Sequence, residues 1–130
     1  MVAIRNFLNG LNTLLRFPAI AVLYSALIFL LCIIPSKELV IVEDINDKTA
    51  HLLAFIGIAF LWLNVKRNYV TVFVLGSLLA IFIEITQGLL PESFHRSAEW
   101  LDIVADVAGL LLGTVLFIIY KKLIALILIS

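Results

Sequence analysis

Residues 49–87 read TAHLLAFIGIAFLWLNVKRNYVTVFVLGSLLAIFIEITQ. Two apolar runs, 49–65 and 69–87, are joined by the short turn Lys66-Arg67-Asn68. Each is close to the roughly 20 residues a helix needs to cross a bilayer, the first of them marginally so. If both cross, so short a connection makes them an antiparallel hairpin. Trp62, one turn before Lys66, matches an aromatic anchor at the headgroup level. Gly88 and Pro91 stop the second run.

The pattern extends both ways from this hairpin. Upstream, residues 17–34 form another apolar run, bounded by Pro18 at a first-turn position and by Pro35, which disfavours helix in the residue before it. At 1.5 Å per residue the run covers about 27 Å, just adequate for a bilayer core. Before it, Ile4, Leu8, Leu11 and Leu15 recur at helical spacing among Arg5, Asn6, Asn9 and Asn12. That spacing predicts a helix lying in the membrane interface, with a disordered tail as the alternative. Arg5 and Arg16 ahead of an apolar stretch fit a signal peptide, but no small-x-small cleavage site follows and further spans do. A retained first helix is therefore expected. Downstream, residues 101–120 form a fourth run closed by Lys121 and Lys122. The tail 123–129 is too short to cross alone and either extends that helix or turns into the interface.

Two polar connections link these runs. In residues 36–48, Asn46 or Asp47 is a plausible helix cap and 39–42 is extended or dips into the interface. In residues 88–100, Ser97 with Trp100, or Ser97 with nearby Glu99, is a candidate helix start. The expected fold is all-α: one polytopic membrane domain over residues 1–130, a four-helix transmembrane bundle with spans near 17–34, 49–65, 69–87 and 101–120 and an N-terminal interfacial helix.

Composition agrees. The chain is 64% hydrophobic with a mean hydropathy of +1.20, and only 14% of it is charged. A soluble domain carries about 25% charged residues, so the excess apolar surface calls for lipid. The single cysteine, Cys32, has no intrachain partner and reads as lipid-facing or packed filler. Zero net charge gives no field suited to nucleic acid.

The charges are sorted. Arg5, Arg16, Lys66, Arg67, Lys121 and Lys122 share one side of the predicted membrane, with no acid among them. The other side holds every Asp and Glu together with Lys37, Lys48 and Arg96. The positive-inside bias predicts a multi-pass plasma-membrane protein with both termini cytoplasmic and the acidic face extracytoplasmic.

That face gathers the residues that speak of chemistry. Asp102 and Asp106 are four apart on one helical face. Asp102 suits a first-turn acid, whereas Asp106 lies inside the apolar run, where a carboxylate is expensive unless paired or wetted. Glu84 stands at a helix C-terminus, which disfavours its charge, so a cation, metal, proton or cavity must hold it. A structural pair with Arg or Lys is the plainest choice, and Gln87 is able to share its face. Asp47 and His51, at i and i+4 with Lys48 beside them, form a pair able to orient the imidazole. Arg96 can reach either helix, and its fork can hold two carboxylates or a carboxylate and a phosphate oxygen. His51, Glu84 and Asp106 are the candidate catalytic groups, and Asp47, Lys48, Gln87, Arg96 and Asp102 the candidate binding groups. No cofactor is expected. A divalent metal would need His51, Glu84, Asp102 and Asp106 to converge, and no compact metal motif is present. Ser93 and Ser97 lie near His95 and Glu99 without any fixed triad spacing. Ala105, Gly109 and Gly113 form a small-residue stripe for packing against a neighbouring span or another subunit.

Taken in order, DKTAHLLAF (47–55), EITQ (84–87), the Arg96-to-Asp102 spacing and DxxGxxxG (106–113) resemble the VanZ-like membrane proteins. That family takes its name from an accessory protein linked to low-level teicoplanin resistance. The resemblance covers residues 45–115 and implies family polar positions at Asp47, Lys48, His51, Glu84, Gln87, Arg96 and Asp102. Asp106 departs from the family pattern, which commonly has Asn there, and the added charge favours a metal, protonation or a mild polar exchange. The resemblance names a group more firmly than a reaction.

Three functions follow as expectations. The first is an envelope protein recognising a lipid headgroup or lipid-linked glycan or phosphate. The second is a small membrane enzyme in which His51 and Glu84 transfer protons. The third is a structural helical subunit held by an interhelical ion network. The expected partners are a membrane lipid or lipid-linked envelope precursor, with a homo-oligomer or envelope protein admitted and nucleic acid not. A transporter is less favoured, because the polar groups hug one face instead of the midplane.

Overall fold

The computed structural model describes residues 2–35 and 46–129, and side chains as far as residue 127. The expectation for residues 39–42 lies outside the described residues, as do Lys37, Glu38, Glu43 and Asp44. Five α-helices follow in order: α1 (Val2–Leu15), α2 (Pro18–Ile33), α3 (Asp47–Lys66), α4 (Tyr69–Gly88) and α5 (Trp100–Ile129), with a 3-10 turn at Glu92–Phe94. The chain is an all-α membrane bundle.

The helix ends follow from local chemistry. Pro18 opens α2, where a missing N–H costs no hydrogen bond. Asn46 and Asn68 cap α3 and α4, their side-chain oxygens accepting from the N–H groups of Lys48 (3.0 Å) and Thr71 (2.9 Å). Arg67 closes α3 in the left-handed region, with φ 53° and its N–H donated to the Leu63 carbonyl. α5 begins at Trp100, after Ser97, because the Glu99 carbonyl already accepts from Asp102 N–H.

Three helices, α3, α4 and α5, are long and apolar enough to cross a membrane. α1 and α2 meet the same measure only as a pair, bent by 59°. The hairpin's first arm thus gains length: α3 has 20 residues because its polar ends, Asp47-Lys48 and Lys66, remain helical. α2, with 16 residues, is the short one, at about 24 Å. α5 runs to Ile129, so the apolar tail continues the helix past Lys121 and Lys122.

α3 is the hub, touching every other helix, and its longest seam is with α5. Small residues make that seam. A Cβ on Gly109 would stand 2.9 Å from the Phe55 Cβ, and one on Gly113 2.8 Å from the Ala59 Cβ, both on α3. The small-residue stripe therefore packs against a neighbouring span of the same chain. Between α2 and α3, Gly57 admits the ring of Tyr24, whose hydroxyl donates to the Ala54 carbonyl at 3.2 Å. Phe55, Ile58, Ala59, Ala80, Ile83 and Leu110 form the buried core. Leu23, Leu75, Ile85, Leu112 and Leu126 stay exposed on the outer surface, the side a lipid solvent would cover.

Candidate functional site

α4 runs antiparallel to α3 and α5, so the start of α3, the end of α4 and the start of α5 meet at one end of the bundle. Ring contacts tie the other ends together: Tyr69 with Phe117 at 6.2 Å and Phe60 with Tyr120 at 5.3 Å. Asp47, Lys48 and His51 come from α3, Glu84 and Gln87 from α4, and Asp102 and Asp106 from α5. Arg96 comes from the connection before α5. His51, Glu84, Gln87, Asp102 and Asp106 are buried.

Their pairing differs in part from expectation. The acid that meets His51 is Asp106, across the α3–α5 seam, instead of Asp47 one turn away. His51 Nδ1 and Asp106 Oδ1 are 3.0 Å apart, with the two residues 4% and 0% exposed. An ionised Asp106 can only accept, and in that state Nδ1 is the donor. Among the described residues Glu84 pairs with neither Lys nor Arg. Its Oε2 accepts the backbone N–H of Glu99 at 2.7 Å, a polar group at the N-terminus of α5. The carboxylate disfavoured by its own helix is thus held by the start of another.

The cations are engaged. Lys48 Nζ lies 2.8 Å from Glu99 Oε2 and 3.3 Å from Asp102 Oδ1. Among the described residues Arg96 meets one carboxylate, Asp47, at 3.4 Å, and donates to the Ile34 and Leu31 carbonyls at 3.3 Å each. Those carbonyls belong to the end of α2, whose helical acceptors Pro35 leaves unfilled, and a cation there also suits the helix dipole. Gln87 Nε2 donates to the Cys32 carbonyl at 3.0 Å, so it faces α2.

Three backbone acceptors on α2 and one residue, Glu99, were not legible as parts of this network. Glu99 looks like solvated surface in the sequence, and its side chain is 48% exposed, yet it holds Lys48 and its N–H holds Glu84. Lys48 keeps its carboxyl below the usual glutamate value. Cys32 is packed against the core and lines a cavity.

That cavity, of about 110 Å³, lies between α2 and α3. Asp47, His51 and Arg96 line its polar side; Ile28, Leu31 and Phe55 line its apolar side. The electrostatics are unbalanced. Among the described residues, Asp47, Glu84, Glu99, Asp102 and Asp106 face Lys48, Arg96 and His51 as counter-charges. Among the described residues, buried Glu84 Oε1 and Asp106 Oδ2 have no hydrogen-bond partner, and Asp102 Oδ1 has only the Lys48 ammonium at 3.3 Å. Carboxylates buried in this way are costly unless a proton, a cation or water meets them.

The polar residues sit at the same positions of the same helices that the resemblance singled out, and the VanZ/LLP1 family profile matches residues 6–121. The chain belongs to the VanZ/LLP1 family. No curated protein and no solved structure matches it. In this VanZ/LLP1 chain the family match spans all five helices, from α1 to Lys121 in α5. Membership makes it a membrane protein with a polar site, and the chemistry of that site has to be argued from its own geometry.

Proposed function

We propose that this VanZ/LLP1 protein recognises the polar head of a membrane amphiphile, a lipid headgroup or a lipid-linked phosphate or glycan, at the extracytoplasmic face of the plasma membrane. The amphipathic cavity carries the reading. Asp47, His51 and Arg96 stand on one side of about 110 Å³, and Ile28, Leu31 and Phe55 on the other. A phosphate would meet the guanidinium donors that Asp47 and the α2 carbonyls leave over, while sugar hydroxyls would donate to the acids. The first carbons of the lipid would follow the apolar wall. Orientation rests on the positive-inside bias of Arg5, Arg16, Lys66, Arg67, Lys121 and Lys122. Labelling of a Glu92→Cys variant by a membrane-impermeant maleimide in intact cells tests it, and protection of that thiol would reverse the assignment.

The binding test uses the purified protein in phosphatidylcholine nanodiscs, titrated with a short-chain polyprenyl phosphate. Arg96→Lys keeps the charge and loses the fork, and Ala54→Leu fills the cavity without touching a charge. Each should weaken binding by about tenfold or more, as expected for loss of a charge-assisted hydrogen bond or of the space itself. Unchanged binding in both variants would remove this reading.

One observation favours an enzyme as the second reading. A buried imidazole held by a buried carboxylate at 3.0 Å is an arrangement that orients a general base. Release of phosphate or glycan from the same probe, lost in His51→Ala, would select it. Binding without turnover would leave recognition. Absence of both would leave an interhelical network whose work is structural.

A further inference from the structure

Asp47 and His51 stand one turn apart at the start of α3, and Asp102 stands in the first turn of α5. Each offers one donor atom, and the three atoms lie within 4.8 Å of one another. Neighbouring ligands on a tetrahedral zinc-sized ion stand about 3.4 Å apart, so ion binding has to draw the atoms together by at most about 1.4 Å. Asp47, with a side chain 54% exposed, has the freedom to make that movement.

Two further observations point to an ion. Behind His51 stands Asp106, fully buried, 3.0 Å from Nδ1. Metal-bound imidazoles commonly give their other ring N–H to a carboxylate, which fixes the tautomer and leaves Nε2 as the lone pair for the ion. Asp102 is 1% exposed, and among the described residues its Oδ1 finds no partner beyond the Lys48 ammonium. Its counter-charge is Lys48, 3.3 Å away, on an exposed side chain that Glu99 holds more closely at 2.8 Å. A divalent ion would satisfy the buried carboxylate that Lys48 satisfies only in part.

We propose that Asp47, His51 and Asp102 bind a divalent transition-metal ion, with Asp106 positioning His51 and Lys48 acting as the counter-charge of the metal-free state. One imidazole and two carboxylates suit zinc or manganese better than magnesium, which takes oxygen ligands. Three protein ligands leave coordination positions open, as in catalytic or ligand-binding metal sites. Occupation of such a position by a phosphate or sugar oxygen rests on the function proposed above; binding of the ion does not. The site differs from the four-ligand set His51, Glu84, Asp102 and Asp106 expected from sequence. Asp47 enters, Asp106 moves behind the imidazole, and Glu84 is occupied with the start of α5.

The test uses the full chain, stripped with chelator, in nanodiscs of phosphatidylcholine alone. It is titrated with zinc and manganese by calorimetry and with cobalt by visible absorption. One ion per chain and a cobalt spectrum of imidazole–carboxylate ligation are expected. Asp47→Asn, at a half-exposed position that keeps an oxygen for Arg96, preserves the fold and should weaken binding by at least about tenfold. Asp106→Asn should weaken it by about 10–100-fold at unchanged stoichiometry. Lys48→Met should tighten it, because the ion no longer displaces a resident ammonium. Glu92→Gln should leave it unchanged. Absence of saturable uptake, uptake indifferent to Asp47→Asn, or weakening by Lys48→Met would each overturn the proposal. No amphiphile is present, so failure here is distinguishable from failure of headgroup recognition.

Discussion

The two ends of the bundle handle charge in opposite ways. At the basic end, Arg67 stands exposed in the turn, and Lys121 rests its ammonium over the rings of Phe117 and Tyr120 while donating to Asn12 on α1 at 2.7 Å. At the acidic end, Glu84, Asp102 and Asp106 are drawn inside and cross-link helices. Void space does not distinguish them. The basic end has the larger cavity, about 190 Å³ against about 110 Å³, but Lys66 is its only charged lining residue, while the smaller one meets Asp47, His51 and Arg96. Surface charge is enough to orient a membrane protein; buried charge that must be paired across helices is what makes a site.

The sharpest way to break this contrast is at the buried pair. Asp106→Ala should destabilise the bundle by about 3–5 kcal/mol, since it leaves His51 without its partner, and His51→Leu with Asp106→Leu should recover much of that loss. Thermal melts in detergent measure both, and a wild-type melt for Asp106→Ala would mean that the pair holds nothing. Next comes the seam that serves both ends. Gly109→Ala pushes a methyl onto the Phe55 Cβ and the α3 backbone, and should cost about 1–3 kcal/mol. Its melt should fall together with the Lys48–Asp102 contact, because α3 and α5 carry one side of it each.

At the basic end the effects should be smaller. Lys121→Ala, which removes the Asn12 hydrogen bond and the ring contacts, should cost about 1 kcal/mol or less and leave the acidic end intact. A larger loss, or altered binding at the cavity, would erase the distinction between the two ends. The smallest effect belongs to the exposed pair Lys48–Glu99. Glu99 titrates below the ordinary glutamate value because Lys48 holds it. Its contribution is therefore present above the unfolded-state value and is lost as pH falls through the lower folded value. Melts of wild type and Glu99→Gln should differ slightly at neutral pH and converge on acidification below that range. A gap that widens with acid would reverse the assignment.

The sequence displayed much of this, for identifiable reasons. Apolar run length and proline boundaries mark helices, because lipid leaves the backbone only itself to bond with. Asp47-Lys48 look like a boundary by polarity and remain helical by hydrogen bonding, and of the two readings open for the tail after Lys122 the structure takes the helical extension. Membership of the site was visible because intramembrane acids are expensive, so Glu84 and Asp106 stand out. Partner choice was not. Helical spacing suggested Asp47 for His51, and charge suggested a cation for Glu84. A residue one turn along the same helix is a neighbour, but a residue on a helix packed through glycine stands closer still.

By itself, the sequence determined the all-α membrane architecture, the family, the segregation of charge between two ends, and which polar residues lie too deep to be surface. Those follow from solvent and period, which act on each segment separately. Only the tertiary structure decided which acid faces which base. Gly109 and Gly113 bring α5 onto α3, Asp106 thereby reaches His51, Glu84 takes the N-terminus of α5, and Arg96 closes the end of α2. Such pairings depend on interhelical approach of a few tenths of an ångström, which no single helix encodes.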